Sequence, residues 1–124
     1  LAADPKHYSG AAAYKKHVAV IAAAEKCIET ARPCLSHCFE TFVAGDTIMA
    51  ECALAVEQTL HVCDTFAYLA AYDSKQLVAM ARVCIASCED CEKACRVHEE
   101  HQPECKACAD ACAVLIKEAK KRLG

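Results

Sequence analysis

Twelve cysteines in 124 residues carry the chemistry that this sequence could perform. Four of them fall in the segment CIASCEDCEKAC, residues 84–95, which has no glycine or proline to make it a loop. Residues three, four, seven or eleven apart return to one face of a helix, and all gaps within a predicted helix have these lengths. Thiolates in such rows are soft ligands for Cu(I), zinc or iron–sulfur clusters. The full set is Cys27, Cys34, Cys38, Cys52, Cys63, Cys84, Cys88, Cys91, Cys95, Cys105, Cys108 and Cys112.

The elements that position these cysteines are predicted to be helices. The chain is rich in alanine, the strongest helix former, and no segment alternates polar and apolar residues as a strand would. Chain breakers stand at residues 45–46, 73–74 and 103. Because the connections are short, neighbouring helices should be antiparallel, and we predict an all-α, antiparallel four-helix bundle with a cysteine-lined core. The predicted helices are 11–44, 47–71, 75–100 and 103–122.

Pro33 leaves the form of the first helix open. A proline inside a helix removes a backbone donor and clashes with the preceding turn. The helix either bends at Pro33 or divides there, and in the second case residues 11–31 form an extra N-terminal helical arm. Residues 1–10 are predicted to be a flexible N-terminal segment and residues 11–124 a single domain.

The charged residues of the third predicted helix indicate which of its sides is buried. Glu89, Asp90, Glu92, Lys93 and Arg96 alternate with its cysteines and favour water, so the thiols are expected to face inward. The thiols of all four helices would then meet along the bundle axis. Free cysteine also packs as a small hydrophobe, so a passive core is the alternative to a metal site.

Coordination number separates the metals that thiolates bind. Cu(I) accepts two or three sulfurs, which neighbouring ions can share, whereas zinc requires four in a tetrahedron. Each CxxxC pair, such as Cys84/Cys88, offers two sulfurs on one helical face. A Cu(I) ion that replaces one thiol proton leaves the buried column neutral. We predict that multiple Cu(I) ions bind; a zinc-thiolate protein and a disulfide-stabilised structural bundle remain the alternatives.

Charge and hydropathy argue against several other classes of function. The formal net charge is −3, which gives no reason to expect nucleic acid or an anionic membrane surface as a partner. No apolar run is long enough for membrane insertion. The sequence has no catalytic dyad or phosphate-binding loop, so we predict that the protein is not an enzyme.

The first residues of the sequence bear on its location. It opens with LAADPKH, without methionine, and we expect processing and export, with a cytoplasmic location as the alternative.

Three motifs of the chain are CLSHCFE at residues 34–40, TIMAEC at 47–52 and ECKACADAC at 104–112. They resemble the bacterial copper storage proteins, which are cysteine-rich four-helix bundles. The resemblance implies storage of many Cu(I) ions without catalytic turnover. It also implies that the twelve cysteines bind copper, supplemented by His37 near one end and by Met49 at an open mouth. The exported type is the more similar one, which implies a periplasmic homotetramer.

This sequence departs from that family pattern at both ends of the bundle. Thr41 and Ala44 replace two further methionines of the mouth, so the resemblance does not support a methionine-lined access route. After Cys112 the last helix reads AVLIKEAKK, where relatives have further cysteines. Residues 114–116, with the sequence VLI, are therefore predicted to make that end of the core dry and to reduce the copper capacity.

Overall fold

Five α-helices make up the part of the chain that the computed structural model describes, residues 10–123. The predicted all-α class is confirmed. Each predicted helix is present, and the largest shift of an end is in the third, which stops at Arg96 instead of residue 100. Apart from Gly10, the predicted flexible segment 1–10 lies outside the described residues. The helices are α1 (Gly10–Lys16), α2 (Val18–Val43), α3 (Ala50–Ala71), α4 (Leu77–Arg96) and α5 (Pro103–Leu123).

The four long helices form a bundle in which each packs against two neighbours. α2 contacts α3 and α5, and α4 contacts the same two helices. The connections between consecutive long helices have only five or six residues, so neighbours are antiparallel. The four-helix bundle is therefore confirmed. Among residues 10–123, no helix is both long and apolar enough to cross a bilayer.

The N-terminal helical region is interrupted at His17 and not at Pro33. α2 continues through Pro33, so the alternative in which the chain divides there is wrong. Pro33 is exposed, and the helix carbonyl that lacks its donor can therefore bind water. At His17 the backbone leaves helical geometry, with φ −117° and ψ 17°, and α1 packs on α3. An extra N-terminal helical arm is present, but it covers only Gly10–Lys16.

Two turns close with a residue in the left-handed region, Gly45 with φ 84° and Asp73 with φ 51°. In each turn this residue donates its N–H to the carbonyl three positions back, and the next residue donates to the carbonyl five positions back. Glycine adopts this conformation without strain, whereas Asp73 carries a Cβ. Its carboxylate accepts a hydrogen bond from Lys16 Nζ at 3.2 Å and lies 2.7 Å from His17 Nε2. The carboxylate thereby ties the α1–α2 junction to the α3–α4 turn.

The core changes in character halfway along the bundle. Division of each long helix at its midpoint gives a sulfur half, residues 31–60 and 87–112, and an apolar half that contains the rest of the described chain. Nine of the twelve cysteines lie in the sulfur half, and the other three lie within about one turn of the boundary. Conventional side chains close the core of the apolar half: Val20, Ile21, Ala24, Phe66, Ala70, Leu77, Ala81, Leu115 and Ala119.

The contact of Asp73 predicts a pH dependence for the docking of α1. Hydrogen bonds from His17 and Lys16 lower the pKa of the Asp73 carboxyl. A carboxyl whose pKa is lower in the folded state stabilises it above the ordinary pKa near 4, and this contribution is lost as the pH falls through the folded value. Wild type should therefore protect the amides of α1 better than Asp73→Asn does at pH 7. The difference should disappear between about pH 5 and about pH 2 in hydrogen-exchange measurements.

Glu89→Gln is the control for this experiment, because Glu89 is an exposed carboxylate on α4, away from the contact of α1 with α3. It should protect α1 as wild type does at every pH. A difference between wild type and Asp73→Asn that stays constant with pH would contradict the role of the carboxylate charge.

Candidate metal centre

Every cysteine of the chain lies in the core of the bundle as a free thiol. All twelve fall within residues 10–123, are at most 2% exposed and form no disulfide. α2 carries three of them, α3 two, α4 four and α5 three. The predicted inward orientation of the thiols is confirmed. These twelve residues are called the sulfur column below.

Ten of the thiols form four clusters, within the described residues, in which three sulfur atoms lie within 4.8 Å of one another. Cys34 and Cys108 each belong to two clusters, so three of the clusters are joined through shared sulfurs. Cys112 also neighbours Cys27 and Cys88, so the remaining cluster adjoins the other three. The clusters are Cys34–Cys52–Cys105, Cys34–Cys95–Cys108, Cys91–Cys108–Cys112 and Cys27–Cys63–Cys88.

The distances between sulfur atoms suit a metal ion placed among them. Contacts between thiols of different helices include 3.5 Å between Cys52 Sγ and Cys95 Sγ and 4.0 Å between Cys63 Sγ and Cys88 Sγ. A bond from a thiolate to a metal is about 2.3 Å long, so three thiolates in a plane around one ion are about 4 Å apart. The column thus holds its sulfurs near the separation of ligands before any metal binds.

Cys38 and Cys84 lie outside the four clusters, towards opposite ends of the column. Cys38 neighbours Cys52, and Cys84 neighbours Cys63. Three of the four clusters combine sulfurs from three different helices. Of the four CxxxC pairs in the sequence, the pair on α5 is the one that falls within a single cluster. Contacts between helices therefore define the candidate sites more than spacing along one helix does.

The acidities of the thiols differ because of burial and of hydrogen bonds between them. Burial raises the pKa of Cys38 to about 12. Hydrogen bonds from Cys112 and Cys34 lower the pKa of Cys108 to about 6, and the donor Cys112 has a raised pKa. Hydrogen bonds from neighbouring thiols therefore favour the thiolate form of Cys108, whereas a metal ion that binds Cys38 must displace the proton of its thiol.

His37 lies at the edge of the sulfur half, next to Cys38 in the sequence. Its side chain is 23% exposed, and its Nδ1 is 3.9 Å from Glu40 Oε2. Its Nε2 is buried and, within the described part of the chain, has no hydrogen-bond partner. A buried ring nitrogen without a partner is unfavourable, and a metal ion would satisfy it. His37 belongs to none of the four clusters of thiols.

The other residues predicted near the mouth are divided between core and surface. Met49 precedes α3, is 1% exposed and packs into the core. Thr41 is half-buried and its hydroxyl donates to the carbonyl oxygen of Cys38 at 2.6 Å, while Ala44 is exposed. His61 is exposed beside Glu57 and faces away from the cysteines.

A pair of buried hydroxyl groups within the sulfur half was missed by the sequence analysis. Thr59 Oγ1 donates to the carbonyl oxygen of Ser87 at 3.1 Å and lies 2.8 Å from Ser87 Oγ. Spacing could have found both residues, because Thr59 lies four positions before Cys63 and Ser87 lies four before Cys91.

The apolar closure predicted after Cys112 is only partly present. Leu115 is 1% exposed and belongs to the core, and Ile116 is half-buried. Val114 is 55% exposed, so its predicted place in the dry core is wrong. Consecutive residues of a helix are rotated by about 100°, and three in a row do not all face one core.

The hydroxyl pair predicts a non-additive effect on stability. Thr59→Val and Ser87→Ala should each lower the free energy of unfolding by about 1–3 kcal/mol, because each leaves one buried hydroxyl with fewer partners. The double variant should lose less than the sum of the two, since it removes both groups. Urea denaturation of the reduced, metal-free protein measures these values.

Thr65→Val, on the exposed side of α3, is the control and should change stability by less than about 0.5 kcal/mol. Strict additivity would show that the pair does not act as a unit.

Comparison with known proteins places this geometry in a family. A search of the curated proteins found no match. The family model described as "Copper storage protein" matches residues 13–123, a range that includes the whole sulfur column together with His37 and Met49. The chain therefore belongs to the copper storage protein family.

Proposed function

We propose that this protein stores many Cu(I) ions along its sulfur column. The observation that carries the proposal is the sharing of Cys34 and Cys108 between neighbouring clusters of three sulfurs. A shared thiolate bridges two ions, so the number of ions need not be limited to the number of separate ligand sets. The copper is cargo, and the family suggests a storage role without catalytic turnover.

Cu(I) fits the column better than zinc does. Each cluster contains three sulfurs, whereas structural zinc takes four ligands in a tetrahedron. A Cu(I) ion that displaces one thiol proton adds no net charge to the buried interior. A zinc ion with four thiolates would leave a charge of −2 there, which is costly in a medium of low dielectric constant.

The disulfide alternative has less support. The cysteines are free, and the clusters place several sulfurs around a common centre instead of pairing them. Each of the clusters leaves at least one sulfur without a partner if two of its members are oxidised. Clusters of three sulfurs that share cysteines with one another therefore suit metal ions better than disulfide bonds, which need pairs of sulfurs.

We assign the twelve cysteines as copper ligands, with His37 and Met49 as additional ligands near the mouth. The buried and unpartnered Nε2 supports the assignment of His37, and the burial of the Met49 side chain within the sulfur half supports a thioether ligand. Ions would enter at the end that carries Cys38 and pass between neighbouring sulfurs, because the apolar core closes the other end. Export to the periplasm and assembly as a homotetramer remain predictions from the family resemblance.

Anaerobic titration of the reduced protein with Cu(I) tests the proposed function. If each ion took a separate pair of thiols, the twelve cysteines would bind at most six ions. Because shared thiolates can bridge two ions, we expect more than about six ions per chain. Mass spectrometry of the intact protein under native conditions reports the number of ions and the assembly together. Saturation near three ions, with zinc displacing copper, would favour the zinc-thiolate alternative. Free-thiol counting before reduction tests the disulfide alternative.

A matched pair of cysteine variants tests the sharing of sulfurs. Cys34 and Cys38 lie one turn apart on α2 and are both fully buried, but Cys34 belongs to two clusters and Cys38 to none. Cys34→Ser should lower the copper capacity by about two ions, because two clusters lose a ligand. Cys38→Ser should lower it by at most about one. Equal losses in the two variants would count against bridging by Cys34.

A further inference from the structure

The charged side chains divide along the bundle in the same way as the core does. The sulfur half carries eleven carboxylates and four Lys or Arg side chains, which is a formal charge of −7. The described residues of the apolar half carry five carboxylates and nine basic side chains, which is +4. The sum, −3, equals the net charge of the full chain, because Asp4 and Lys6 outside the described residues cancel. The modest net charge therefore conceals a strong asymmetry.

The negative charge concentrates at the tip of the sulfur half. Six carboxylates lie on the last turn of α2, the first turns of α3 and α5 and the two connections at this end: Glu40, Asp46, Glu51, Glu99, Glu100 and Glu104. In the same segments, residues 40–51 and 96–104, the one Lys or Arg side chain is Arg96, and it already pairs with Glu92, Glu99 and Asp110. His98 and His101 also lie there and count as neutral in the formal charge. Two helices begin and two end at this tip, so their dipoles largely cancel and the side chains set the sign. These six carboxylates are called the acidic tip below.

Most of the candidate copper ligands lie in the sulfur half, beneath the acidic tip, and not in the positively charged apolar half. Cys38 and Met49 are buried at the same end, and the buried Nε2 of His37 lacks a partner there. At the opposite end the core is closed by side chains such as Phe66 and Leu115. The field of the carboxylates therefore acts where the cargo would enter.

Large apolar side chains are exposed beside the acidic tip. Val43 is 91% exposed, Ile48 67% and Leu54 74%, and they lie on α2, α3 and the turn between them. A nearby groove of about 290 Å³ is lined in part by Phe39 and Leu54. A hydrated ion gains nothing from such a surface, whereas a polypeptide gains from covering it.

We propose that the acidic tip is the docking surface for a polypeptide copper donor whose metal-bearing face is positively charged and partly apolar. This inference rests on the proposed function, because it names the class of donor that fills the sulfur column. The tip attracts a basic face and repels a donor with carboxylates around its copper. The acidic tip therefore selects donors by charge before any copper ion passes from the donor to a thiol.

General electrostatics gives the expected size of the selection. Oppositely charged surfaces raise association rates by about 10-fold to 1,000-fold at low ionic strength. The Debye length shrinks from about 30 Å at 0.01 M salt to about 3 Å at 1 M, so the advantage of the basic donor should fade with salt. A preference that reflects affinity of the thiols alone would not depend on salt in this way.

The probes for the test are two short Cu(I)-loaded peptides with identical methionine ligands and an identical pair of leucines. One has lysines and the other glutamates around the ligands. Stopped-flow measurement of copper transfer to the intact reduced protein should show the lysine peptide to be faster by at least about 10-fold in 0.01 M salt. The ratio should approach one in about 1 M salt. Equal rates in low salt would overturn the proposal.

Two variants with the same net charge locate the effect. Glu51→Gln/Glu100→Gln/Glu104→Gln removes three carboxylates from the acidic tip, and Glu25→Gln/Glu29→Gln/Asp64→Asn removes three from the apolar half. The first should reduce the ratio of the two rates severalfold, and the second should leave it near the wild-type value. An equal reduction in both would show that net charge acts, not the tip, and would overturn the proposal. Circular dichroism checks that both variants remain folded.

A third variant tests the apolar contact. Ile48→Ser/Leu54→Ser changes two exposed side chains and should slow transfer from both peptides severalfold without changing their ratio. An unchanged rate would contradict docking of a polypeptide. Self-association that is lost both in high salt and in the acidic-tip variant would mean that this tip binds the basic end of another copy, which also overturns the proposal. If neither peptide loads copper at all, the storage function fails; if both load it at one rate, only the choice of donor fails.

Discussion

The structure depends on holding many thiols on one axis at separations of about 4 Å. Four antiparallel helices achieve this because each turns one face to the axis, and cysteines spaced by three or four residues stay on that face. Alanine provides much of the remaining interior, and its small side chain lets the helices approach closely enough for sulfurs of different helices to meet. The bundle and the sulfur column are therefore the same object, since all twelve cysteines lie on its four long helices.

The same side chains have to pack the protein when it is empty and bind metal when it is full. A thiol serves the first purpose because it behaves as a small hydrophobe, and a thiolate serves the second because it is a soft ligand. The exchange of a thiol proton for a monovalent ion leaves the charge of the interior unchanged. A thiolate stabilised by neighbouring thiols, as at Cys108, offers an incoming ion a ligand that has no proton to lose.

The fold and the inward position of the cysteines were predictable because both follow from period and residue type. Which sulfurs meet was not, because the composition of a cluster such as Cys27–Cys63–Cys88 depends on the rotation and axial register of three helices. The break at His17 was also beyond the sequence, since the residue that His17 contacts, Asp73, lies far along the chain. Pro33 is the converse case: its local signal was strong, but its exposed position lets the helix continue.

The apolar half explains why a store of this kind has a direction. Side chains such as Phe66 and Leu115 hold the bundle together without metal, so the sulfur half does not have to supply all of the stability of the fold. That closure occupies one end of the column, so under the proposed function ions would enter and leave by the other. Every ion would then pass the groups at the tip. The charge at this tip would act on each transfer, whereas the same carboxylates spread evenly over the bundle would act on none in particular.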